Sequence, residues 1–138
     1  MLICGCLGAL VFPGAAVAQG TKVKIGSWSV ETADSARHGA KPGSTYRSCP
    51  SNPAIAIDAR GSVTGASWGK GFKEVWTLNG KTDSVFPVDW SKSGQFSDSF
   101  GISASDGELT PGRWKLKIVQ DGRTIGAGSI RIVTKPGC

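Results

Sequence analysis

The stretch Leu109–Val133 reads as a β-hairpin, and it restricts the fold more than any other part of the chain. Thr110-Pro111-Gly112 is a turn signal, with Pro presetting φ and Gly free to take φ > 0. Trp114, Leu116 and Ile118 then alternate with Lys115, Lys117 and Val119, the period of a half-buried strand. Asp121-Gly122 follows, a pair suited to a type I′ turn because both of its central residues need φ > 0. Pairing about that turn sets Gln120 against Arg123. The expected register then places Ile118 opposite Ile125, Leu116 opposite Ala127 and Trp114 opposite Ser129 on one face. On the other face Lys117 meets Gly126 and Lys115 meets Gly128. Beyond Ser129 the apolar phase shifts to Ile130 and Ile132, so a β-bulge is expected between Gly126 and Ile130.

Most of the remaining chain fits the same class. Its 138 residues suffice for one domain with a modest core, and 20 of them are glycine. No long segment carries a helical apolar period. Lys22–Val30 reads as a strand whose apolar phase changes from Val23 and Ile25 to Trp28 and Val30, which calls for a bulge or a change of sheet near Gly26-Ser27. Glu31–Pro53 is polar and reads as a long loop or irregular edge segment. Ala54–Ala59 is a strand that either turns at Arg60-Gly61 or runs on through a bulge toward Trp68. Gly69-Lys70-Gly71 is expected to be a loop, and Phe72–Leu78 a strand closed by the hairpin signal Asn79-Gly80. Thr82–Trp90 should bury Val85 and either Phe86 or Val88, with Pro87 marking an edge or bulge. Ser91–Gly94 reads as a turn and Phe96–Ser103 as a strand. The total is seven or eight short strands, the pattern of an all-β sandwich or barrel.

Residues 1–19 read as a secretory signal peptide, with an apolar run from Leu7 to Val17 and an Ala16-Val17-Ala18 cleavage site. No Lys or Arg precedes the run, as a start codon assigned too far downstream would explain. A buried strand and a lipoprotein signal at Ile3-Cys4-Gly5-Cys6 are the alternatives. The run is too short and glycine-rich for a transmembrane helix. Residues 20–138 then form a single domain, periplasmic or secreted. Its two cysteines, Cys49 and Cys138, suit a disulfide in an exported protein, with two free thiols as the alternative. That bridge would close a loop of about 90 residues, worth roughly 4–5 kcal/mol on chain-entropy grounds.

Val75-Trp76-x-x-Asn79-Gly80, Ser97-x-x-x-Gly101 and Leu109-x-Pro-Gly-x-Trp-x-Leu-x-Ile, followed by Asp121-Gly122 and Gly128-x-Ile-x-Ile-Val133, resemble the late strands of immunoglobulin-like domains in bacterial exported proteins. The resemblance covers Phe72–Val133. It implies an antiparallel immunoglobulin-like β-sandwich used for binding or assembly, and it brings no catalytic residues. The chain departs from the antibody pattern in lacking paired cysteines at inter-sheet spacing around a Trp.

Charge narrows the function. The net charge is +6. Gly112–Cys138 carries six bases and one acid, whereas Thr82–Pro111 carries five acids and one base. That asymmetry suggests a basic sheet face, for which a solvated surface is the plainer explanation. Asp34-x-x-x-His38 is the one hint of a hydrolase, but no G-x-S-x-G elbow supplies a nucleophile. Asp106/Glu108 and Asp83/Asp89 read as turn and edge residues, and Gly69-Lys70-Gly71 lacks the phosphate-loop frame. His38 is the only histidine and no C-x-x-C occurs, so neither a metal nor any other cofactor is expected. Nucleic acid is disfavoured because Trp114 alternates onto the face opposite Lys115 and Lys117. The expectation is a non-catalytic module that binds a protein or anionic glycan of the cell envelope. Lys115, Lys117, Arg131, Arg37, His38 and Arg47 are its candidate contacts, and Trp68 or Trp90, if exposed, would favour sugar stacking. The alternative is an assembly or inhibitor module acting by edge-strand addition. Composition leaves the oligomeric state open.

Overall fold

A computed structural model describes residues 20–66, 69–90 and 94–138, without the side chains of 66, 69 and 70. The signal-peptide reading, the turn at 91–93 and Trp68 lie outside the described residues. Among the described residues nine strands follow in order: β1 Lys22–Thr32, β2 Arg37–Ala40, β3 Thr45–Ser48, β4 Ala54–Ala66, β5 Gly69–Leu78, β6 Lys81–Trp90, β7 Gly94–Ser103, β8 Gly112–Gln120 and β9 Arg123–Thr134. They form a sandwich of a four-stranded sheet, β2-β1-β4-β7, and a five-stranded sheet, β3-β9-β8-β5-β6. Every pairing is antiparallel except β3 with β9, which is parallel.

The count exceeds the expected seven or eight because the polar stretch Glu31–Pro53 supplies two short edge strands. β2 completes one sheet and β3 the other, so the chain crosses between layers at Lys41–Ser44. Gly69-Lys70-Gly71 belongs to β5 rather than to a loop, and the pairing with β6 is irregular between Gly69 and Phe72. Gly26 is the expected bulge in β1: Ile25 pairs with Gly61 and Ser27 with Arg60, so the inward phase moves from Val23 and Ile25 to Trp28, Val30 and Thr32. Both two-residue turns take positive φ throughout, 50° and 83° at Asn79-Gly80 and 49° and 75° at Asp121-Gly122.

The terminal hairpin differs from the expected register in one respect. The bulge lies at Ile125, just after the turn, so Ile118 faces Gly126, Leu116 faces Gly128 and Trp114 faces Ile130. Gly126 and Gly128 therefore point into the sandwich, not outward beside the lysines. The reason is the approach of β1. A Cβ on Gly126 would overlap the Val23 carbonyl oxygen, and one on Gly128 would lie 2.9 Å from Cζ2 of Trp28. A register that put apolar side chains at these positions would push the two sheets apart.

Between the layers Trp28 meets Trp76 edge to face, with centroids 5.9 Å apart at 84°. Phe72, Ile57, Phe100, Leu116, Ile118, Ile130 and Ile132 fill the remaining core. Val85 is not part of it. It points outward from the edge strand β6 and is 50% exposed, while Phe86, at the open margin of the sandwich, is 41% exposed. Pro87 sits on that edge as expected.

The two flanks are tied differently. On one, Cys49 and Cys138 form the disulfide, with Cα atoms 5.4 Å apart, joining the end of the chain to the segment after β3. On the other, the edge strand β7 has N–H groups without ladder partners. Glu74 of β5 reaches across and accepts hydrogen bonds from Gly101 N at 3.0 Å and from Trp76 Nε1 at 2.6 Å. Burial holds its carboxyl above the usual glutamate range, Asp98 and Asp58 add to the effect, and the two hydrogen bonds oppose it. Asp98 of β7 repeats the device by accepting from Trp90 Nε1 of β6 at 2.7 Å.

Gly126→Ala should destabilise the protein by about 1–3 kcal/mol in denaturant titration, as overpacking does, whereas Gly39→Ala, whose new methyl meets nothing, should stay within about 0.5 kcal/mol of wild type. The folded state holds the Glu74 proton more tightly than the unfolded chain. Its contribution is therefore fully present below the ordinary glutamate value and is lost as pH rises through the raised one. The stability difference between wild type and Glu74→Gln should accordingly move against wild type as pH rises through that interval, and movement in the opposite direction would exclude this account of the carboxyl.

Candidate binding face

The outer face of the five-stranded sheet follows directly from strand alternation. In β8, Trp114, Leu116 and Ile118 are buried, so Arg113, Lys115 and Lys117 face out. In β9, Ile130 and Ile132 are buried and Arg131 faces out between them. Lys73 faces out between the buried Phe72 and Glu74. Arg47 stands outward on β3, opposite Val133. Among the described residues none of these six cations lies within ion-pairing distance of a carboxylate, since the ion pairs there belong to Arg37 alone. Acids enter only at the margins, at Asp121 in the hairpin turn and at Asp83 and Asp89 on the edge strand β6.

Arg113 and Arg131 are direct cross-strand partners. Like charges set opposite each other in an antiparallel pair are unfavourable. Small residues flank the lysines: Lys117 pairs with Ala127 and Lys115 with Ser129. The face is therefore as open as expected, but through Ala127 and Ser129 and not through glycines. Thr45, Thr124 and Ser129 supply outward hydroxyl groups, and Val75, Val119 and Val133 lie between the cations.

Of the six contacts expected from sequence, this face gathers Lys115, Lys117, Arg131 and Arg47. Arg37 and His38 lie elsewhere, on β2 of the other sheet. Arg37 pairs with Glu31 at 3.5 Å and Asp58 at 3.6 Å over the outer face of the four-stranded sheet. With Ser27, Ser29, Asp58, Arg60 and Ser99 it lines a shallow polar depression of about 200 Å³. His38 turns inward, its ring 5.5 Å from Tyr46. The Thr32 hydroxyl donates to Asp34 and lies 3.1 Å from Nε2 of His38, so the imidazole donates from Nε2. Thr32 and the backbone of Ala36 hold the Asp34 carboxyl below the usual range. This cluster ties the β1–β2 turn together. Thr32 is 1% exposed, so its hydroxyl meets no substrate. Burial raises the Tyr46 hydroxyl, and Asp34 adds to the rise.

Two cations escaped the sequence reading. Arg113 could have been found, because it shares the alternation of Lys115 and Lys117. Lys73 needed the sheet order, which places β5 beside β8. Trp90 is buried and bound to Asp98, so it offers no ring for stacking.

No protein-family model matches the chain, and no curated protein matches it either. Among solved structures, an immunoglobulin-like protein from Pseudomonas aeruginosa is similar, with a TM-score of 0.50 and 12% identity over 85% of this chain and 99% of that one. At that identity the likeness bears on the fold alone. The fold is an immunoglobulin-like β-sandwich, as the late-strand motifs implied.

Replacing Arg131 by Glu would set opposite charges across from each other at Arg113. Arg131→Glu should raise stability by about 0.2–1 kcal/mol in low salt, with the gain shrinking as salt is added. Loss of stability would show that the Arg113–Arg131 pair is not strained by its charge.

Proposed function

We propose that this protein is an exported, non-catalytic binding module whose cationic sheet face docks an acidic protein or anionic glycan of the cell envelope. The observation that carries the reading is the set of six outward cations without counter-charge, two of them facing each other across strands. A surface selected only for solubility would gain by interspersing acids. The disulfide suits a periplasmic or secreted setting, in keeping with the apolar leader at residues 1–19 and a single mature domain over 20–138.

A second reading rests on β6. Its outer edge has no strand partner among the described residues, and the strand carries the exposed Val85 and Phe86. An extended segment of another protein could pair there, although Pro87 offers no N–H to such a ladder. The two readings differ in salt response, because main-chain pairing is insensitive to the screening that weakens exposed charge pairs.

Immobilised protein and its Lys115→Glu/Lys117→Glu variant should therefore be compared for capture of envelope components at low and physiological salt. The reading predicts an acidic partner retained by wild type alone and released by salt. Equal, salt-resistant capture by both proteins would move the site to the β6 edge.

A further inference from the structure

We infer that the ligand of the cationic face is a linear acidic polysaccharide, lying as an extended chain diagonally across the strands. The inference rests on the basic-face reading above and concerns how its charges are arranged. The six cations are not a cluster. Arg47 stands on β3, one two-residue step beyond Arg131 on the neighbouring β9. Arg131 lies directly opposite Arg113 on β8. Arg113, Lys115 and Lys117 then follow one another along β8. Lys73 on β5 lies one step beyond Lys117, because Val75 pairs with Lys117 and Lys73 with Val119. Each residue thus neighbours the next in a single stripe that crosses β3, β9, β8 and β5. With strands about 4.8 Å apart and about 6.7 Å between alternate residues, successive positions are roughly 5–8 Å apart and the stripe is about 30 Å long.

A stripe of single charges matches a polymer with one anion per repeating unit better than it matches a compact anion. A compact anion would need cations converging on one point, and here they are spread across four strands. The neighbouring side chains favour a sugar polymer over other chains. Thr45 and Ser129 lie beside the stripe and can bond to ring hydroxyls. Among the described residues the outward positions of β3, β9, β8 and β5 carry no aromatic ring: Phe72, Trp76 and Trp114 are buried, so bases have no surface to stack on along the stripe. The same lack of an aromatic anchor is unlike the centre of a protein–protein interface. Ala127 and Ser129 keep the ground beside the lysines low, which leaves room for an extended chain.

The test uses polygalacturonate and oligogalacturonates of graded length, from the dimer upward, with polyglutamate as an acidic polypeptide, titrated calorimetrically into the purified full chain. Affinity should rise with oligosaccharide length until the stripe is spanned and then level off. Arg47→Ser and Lys73→Ser, at the two ends, should each weaken the longest oligomers by roughly two- to fivefold and leave the dimer unaffected. Each should also lower the slope of log affinity against log salt by about one. Dimers that bind as tightly as long chains, with both end variants silent, would overturn the extended track and leave a basic face with a local anion site. Binding of polyglutamate without binding of polygalacturonate would overturn the sugar assignment but not the basic face. Full binding of every probe by Lys115→Glu/Lys117→Glu would overturn both.

Discussion

The structure depends on how closely β1 lies against β9. The two strands belong to different sheets, yet the Val23 carbonyl and the Trp28 ring rest on Gly126 and Gly128, where no Cβ fits. Those glycines must point inward for the layers to close, and that requirement sets the register of the hairpin. The bulge at Ile125 is what turns them inward. Once it is in place, Arg113, Lys115, Lys117 and Arg131 have one face available, and Arg113 and Arg131 are brought opposite each other. The packing of the core and the charge of the surface are two consequences of the same one-residue offset.

The margins of the sandwich complement that contact. Glu74 and Asp98 each carry a buried or half-buried carboxylate to a donor on the opposite layer. The first satisfies a backbone N–H on the edge strand β7, and the second the indole N–H of the buried Trp90. On the other flank the disulfide holds the end of the chain beside β3, the shortest strand of the five-stranded sheet together with the crossing at Lys41–Ser44. β3 carries Arg47, so the bridge also steadies one end of the cationic stripe.

Much of this could be read in the sequence where a local rule acts alone. Asn79-Gly80 and Asp121-Gly122 specify their turns through φ, and the Gly26 bulge shows as a change of apolar phase. The disulfide followed from an even cysteine count. What stayed hidden depended on a second layer. The hairpin register looked self-consistent with Ile125 opposite Ile118, because nothing local reveals that β1 needs the space in front of Gly126 and Gly128. Val85 looked like core because alternation cannot show that β6 ends its sheet. β2 and β3 escaped because strands of four residues at sheet edges need little apolar pattern. For the same reason Arg37, His38 and Arg47 read from sequence as one loop, apart from the face of Lys115, Lys117 and Arg131. Arg37 and His38 belong to a different sheet, and only the crossing between β2 and β3 separates them from Arg47.

The face that results is flat and cationic, with no ion pair among its described residues, whereas on the outer face of the four-stranded sheet Arg37 pairs with Glu31 and Asp58 beside several serines. Contact is proposed on the first of these surfaces. Lysines on both allow a direct comparison: Lys73, Lys115 and Lys117 on one, Lys22 and Lys24 on the other. The decisive measurement is amine labelling of each lysine, read by mass spectrometry, for the protein free and bound to its envelope fraction. Protection of Lys73, Lys115 and Lys117, with Lys22 and Lys24 labelled as in the free protein, is the predicted result. Protection of Lys22 and Lys24 with the other three unchanged would contradict the account.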